Sequence, residues 1–60
     1  MEHQIGDIVV RKWQGKLLWS MTGVITRVNH TEVVTFYSIR WLEDNSETDR
    51  WQAKEFEVIA

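Results

Sequence analysis

At 60 residues, with no cysteine and no proline, the chain is one small domain's worth of polypeptide, a size that buries only about 60% of its unfolded surface. Hydrophobic residues at 43% and charged residues at 27% exclude a disordered polar segment, and no apolar run nears the roughly 20 residues of a membrane helix. A net charge of −2 counts against a partner held by phosphate neutralisation, and the missing thiols exclude disulfides and cysteine-ligated metal.

Residues 1–4 read as an N-terminal tail without the basic and apolar regions of a secretion signal, so an unexported protein is expected. Gly6-Asp7 is a turn signal before a first strand, Ile8 to Lys12. Trp13 to Ser20 fits neither the strand nor the helix period and contains a glycine, which predicts a long, unusually apolar loop. Gly23 to Val28 is a second strand, with Gly23 allowing a bend or bulge at its start, and Asn29-His30-Thr31 is a turn. Val33 to Leu42 is the longest strand, apolar on both faces and therefore central or strongly curved. Glu43 to Ser46 is a hairpin turn, Glu47 to Gln52 a strand with a wet face, Ala53-Lys54-Glu55 a single helical turn, and Phe56 to Ile59 a fifth strand.

Five short strands in one domain spanning residues 1–60 predict an all-β barrel, curled until its first and last strands meet so that few edges stay exposed. The expected core is Ile8, Val10, Val24, Ile25, Val28, Ile39, Trp41, Phe56 and Val58.

The order Gly6-Asp7-Ile8-Val9-Val10, Gly23-Val24-Ile25-Thr26-Arg27-Val28, Tyr37-Ser38-Ile39-Arg40-Trp41-Leu42, Phe56-Glu57-Val58-Ile59 resembles the SH3-like barrel of the Tudor and KOW type. The resemblance covers about residues 5–59 and is closest in flavour to short stand-alone barrels encoded by tailed bacteriophages, cyanophages especially. It implies a small phage-encoded or virion-associated protein, in the host cytoplasm or the particle. One departure is clear. KOW domains that touch RNA are usually basic, whereas here residues 1–40 carry +2 and residues 41–60 carry −4.

Catalytic groups are not apparent. Ser20, Ser38 and Ser46 lie in no nucleophile motif, and His3 and His30 have no ligand spacing, so no catalytic residue, metal or cofactor is expected. Glu43 to Asp49 is rich in oxygen donors but lacks the glycine of a calcium loop, and Asn29-His30-Thr31 matches a glycosylation sequon without a secretion signal beside it.

The informative excess is aromatic: four Trp, two Phe and one Tyr. Trp13 and Trp19 enclose Leu17 and Leu18, and the sequence leaves open whether these rings cap the barrel or face outward. Facing outward, Trp13, Leu17, Leu18 and Trp19, with Arg40 and Trp51 at the rim, form a protein-docking surface for a larger assembly or a second copy. The alternative is a Tudor-like cage of Trp13, Trp19, Phe36, Tyr37 and Trp51 around a methylated or cationic side chain. A third reading joins Arg11, Lys12, Lys16 and Arg27 with stacking on Trp13 to hold nucleic acid, against the net charge.

Overall fold

The computed structural model describes residues 3–60. It is all-β: β1 (Ile8–Trp13), β2 (Lys16–His30), β3 (Thr35–Trp41), β4 (Glu47–Trp51), a 3-10 turn (Ala53–Glu55) and β5 (Phe56–Val58). The strands form one antiparallel sheet in the order β4-β3-β2-β1-β5. β5 returns to pair with β1, as a curled sheet requires, but among the described residues no pairing joins β4 to β5. The closed barrel expected from the sequence is thus a curled, open sheet with β4 and β5 as its edges.

The long loop expected over Trp13 to Ser20 is instead a β-hairpin. Gln14 (φ 50°) and Gly15 (φ 77°) are both left-handed, the backbone a two-residue hairpin turn needs to match the strand twist. Trp13 pairs with Lys16, Lys12 with Leu17 and Arg11 with Leu18. The register then jumps: Val10 pairs with Thr22, so Trp19, Ser20 and Met21 have no partner on β1. The Thr22 hydroxyl ties this bulge by donating to the Trp19 carbonyl at 2.9 Å. Smaller bulges lie at Thr26, opposite β3, and at Asp49-Arg50, opposite Ser38. Bulges bend and twist strands, and three in one small sheet account for its curl.

Asn29 and His30, expected in a turn, extend β2 and pair with Phe36 and Thr35. The turn is made by Thr31, whose side-chain oxygen accepts from the Val33 and Val34 N–H groups (3.3 and 3.0 Å) and donates to the Val34 carbonyl. Such local side-chain bonds offer the backbone an alternative to the ladder. At the next turn Asp44 accepts the hydroxyl of Ser46 at 2.7 Å and its N–H at 3.0 Å, which together hold the Asp44 carboxyl below its ordinary range.

The inner face of the sheet packs Val9, Ile25, Tyr37, Ile39, Trp41 and Phe56 into one core. Val10, Ile25, Ile39, Trp41 and Phe56 are buried as expected; Ile8, Val24, Val28 and Val58 are only half-buried, and Val9 and Tyr37 take inner places. The difference on β1 is one of phase: Val9 points into the core, while Val10 is buried outside that cluster. Gly23 serves packing and not bending. A Cβ there would lie 2.5 Å from Ile39 Cγ2 and 2.8 Å from the Arg40 carbonyl oxygen. Instead of trailing as a tail, His3 sets its ring 5.5 Å from Tyr37 and 5.3 Å from Phe56, and the Gln4 N–H donates to Asp7.

Candidate functional site

Side chains alternate along a strand, so the inner face of β1 runs from Val9 through Arg11 to Trp13. On β4, Trp51 stands opposite Tyr37 and shares that inner face. β1 and β4 are not neighbours in the sheet, yet the curl brings them together. The Arg11 guanidinium carbon lies 5.3 Å from the centre of the Trp51 ring and 5.5 Å from that of Trp13. Arg11 therefore spans the side of the sheet that backbone pairing leaves open. A cation placed this way over an indole contributes about 0.5–1 kcal/mol when exposed and ~2 when desolvated.

The cluster continues inward. Trp51 meets Trp41 edge-on, centroids 5.2 Å apart at 72°, and both indole N–H groups donate to the one Thr48 hydroxyl oxygen, at 2.6 and 2.7 Å. Arg11 also donates to the Met21 sulfur at 3.6 Å, so the bulge that ejects Trp19 turns Met21 toward the cluster. Two cavities flank Trp51. One, of about 170 Å³, is lined by Arg11, Lys12, Trp13 and Glu55; the other, of about 230 Å³, by Met21, Trp41, Glu43, Asp44, Ser46 and Thr48.

The expected docking residues fall on more than one surface. Trp13 is 54% exposed and Trp19 63%, while Leu17 and Leu18 are half-buried. Leu18, opposite Arg11, shares the face of Trp13; Leu17, opposite Lys12, lies on the other. Arg40 is exposed on the outer face of β3 and does not join Trp51. The five-ring cage is not assembled: Tyr37 is 4% exposed and packs its ring against Phe56 in the core, and Phe36 lies on the outer face of β3. Trp13 and Trp51 do come together, around Arg11. The basic patch is divided as well, because Arg11 and Lys12 line the small cavity beside Trp13 while Arg27 lines a groove on the outer face.

Arg11 as the centre of an aromatic sandwich and Thr48 as the shared acceptor were both missed by reasoning from the chain. Strand alternation puts Arg11 and Trp13 on one face, but only the curl supplies Trp51. The Ser38 hydroxyl donates to Asp49 Oδ1 at 2.7 Å, and His30 Nδ1 lies 3.1 Å from the Thr35 hydroxyl. Among the described residues no group of three His, Asp or Glu side chains is placed to hold a metal ion, and no helix is long and apolar enough to cross a membrane. The chain matches no protein-family model, no curated protein and no solved structure.

Proposed function

We propose that this chain is a non-catalytic protein-interaction module, a small SH3-like barrel of the Tudor and KOW type that docks on a larger assembly. The observation that carries the reading is the β1–β2 hairpin, which leaves Trp13 and Trp19 more than half exposed, with half-buried Leu18 on the face of Trp13. Large rings left in water at this density are what binding hot spots are made of. The barrel assignment is supported by the return of β5 to β1, the three bulges and the Arg11 span across the open side. A phage-encoded or virion-associated source, with a cytoplasmic or particle location, follows from the motif resemblance and belongs to the same proposal.

The test is a native mass measurement of the tagged chain in its producing cell. The parent is expected in a complex and a Trp13→Ala, Leu18→Ala double variant as a folded monomer. Truncating hot-spot residues of this kind costs at least about 2 kcal/mol of binding, some thirtyfold in affinity. A variant that stays in the complex places the contact elsewhere.

A second reading, recognition of a methylated or cationic side chain, has one observation in its favour: the slot between Trp13 and Trp51 already holds a guanidinium. A ligand cation would have to replace Arg11. Indole fluorescence should then respond to a trimethyl-lysine peptide more strongly in Arg11→Ala than in the parent. Silence from both at millimolar peptide removes this reading.

A further inference from the structure

The outer face of the sheet carries a groove of different chemistry. Across β2 and β3, Arg27 pairs with Ser38 and Asn29 with Phe36, so these four side chains share one face. On β4 two residues, Asp49 and Arg50, answer the single Ser38. Arg50 takes a left-handed backbone (φ 65°), a conformation that non-glycine residues hold only where the surroundings impose it, and one that collects at binding sites. The groove measures about 590 Å³ and is lined by Arg27, Asn29, Thr31, Phe36, Asp49 and Arg50, among others. Asp49, the one carboxylate of its lining, accepts the Ser38 hydroxyl at 2.7 Å. The lining thus carries two guanidiniums against one carboxylate, a local sign opposite to the −2 of the whole chain.

Each part suits one piece of a single ligand. Guanidinium forks bind phosphate oxygens in pairs, a half-buried phenyl offers a stacking face, and the Asn29 amide can read a ring edge. The volume lies within the roughly 300–1,000 Å³ of small-molecule sites. We propose that this groove binds a phosphate-bearing aromatic ring, that is, a nucleotide, with Arg27 and Arg50 on the phosphate and Phe36 under the base. This site is independent of the hairpin surface and does not need the docking reading to hold.

The experiment is a titration of the isotope-labelled chain followed by amide chemical shifts, with adenosine monophosphate, adenosine, inorganic phosphate and a short single-stranded oligonucleotide as probes. Adenosine monophosphate is expected to move the amides of residues 27–29, 36–38 and 49–50, and to bind more tightly than adenosine or phosphate alone. Arg27→Gln should weaken it about tenfold, the usual weight of one charge-assisted contact. Arg50→Gly should weaken it equally while keeping the left-handed backbone, which separates loss of the side chain from loss of the fold. Phe36→Leu should lower affinity for the nucleotide and leave that for phosphate unchanged. Tighter capture of the oligonucleotide on the same amides supports the site and makes a strand the source of the nucleotide; weaker capture supports the free molecule. The proposal is overturned if these amides stay still at 10 mM nucleotide (on the order of the weakest useful affinity), if phosphate binds as tightly as the nucleotide, or if the arginine variants bind like the parent.

Discussion

Replacing Gly23 with alanine is expected to lower the melting temperature by roughly 4–24 °C. The added Cβ would stand 2.5 Å from Ile39 Cγ2, 2.8 Å from the Arg40 carbonyl oxygen and 3.1 Å from Trp41 Cε3. None of these can yield cheaply: Ile39 is fully buried, the carbonyl is backbone, and Trp41 is held by its bond to Thr48. Overpacking of this kind costs roughly 1–3 kcal/mol, and one kcal/mol moves the melting point of so small a domain by about 4–8 °C. A core of this size rarely supplies more than ~3–5 kcal/mol, so a large share of the total stability is at stake. Gly15→Ala is the control. Nothing lies within 4 Å of a Cβ there, and only the left-handed backbone (φ 77°) opposes the change, at about 1–2 kcal/mol. Thermal unfolding followed by circular dichroism reads both. Equal melting of Gly23→Ala and the parent would refute the close approach of β2 to β3.

The second large effect centres on Thr48. Its hydroxyl oxygen receives the N–H groups of Trp41 and Trp51, and Trp41 is 5% exposed, so that donor has little water to turn to. Thr48→Val keeps the shape and removes the acceptor. A buried donor left unpaired costs about 1–3 kcal/mol, and Thr48→Val should be destabilised by that amount in urea. Thr48→Ser keeps the oxygen and should unfold within about 0.5 kcal/mol of the parent, since a single methyl on an exposed β-strand residue is a small loss. Equal stability of the valine and serine variants would mean that the shared bond contributes nothing.

The strands were readable where side chains alternate or types are distinctive. Tyr37 to Trp41, the helical turn at Ala53–Glu55 and the closing Phe56–Val58 all announce themselves. The first hairpin did not, for two physical reasons. Its turn uses Gln14 at positive φ, where asparagine or aspartate would be the usual sign. The unpaired Trp19, Ser20 and Met21 then break the alternation by which β2 would be recognised. The site was readable by residue and not by arrangement. Trp13 and Trp51 stood out as rings too numerous for the core, but their meeting across Arg11 depends on strands that are not adjacent. Tyr37 shows the opposite error: its residue type suits a cage, yet it alternates in phase with the core residues Ile39 and Trp41 and so turns inward against Phe56. Arg27, Phe36 and Arg50 gave no joint signal, because the Asp49-Arg50 bulge that aligns them is a matter of register.

The seam between β1 and β4 has a dynamic consequence. Among the described residues it is crossed by Arg11 resting on Trp51 and by side-chain packing alone, whereas the strands adjacent in the sheet are laced by backbone hydrogen bonds. A contact of this kind contributes about 0.5–2 kcal/mol, less than a backbone ladder of several bonds. Hydrogen exchange is therefore expected to run faster at the β4 amides than along the β2–β3 ladder, and equal protection of the two would show that the seam does not part on its own.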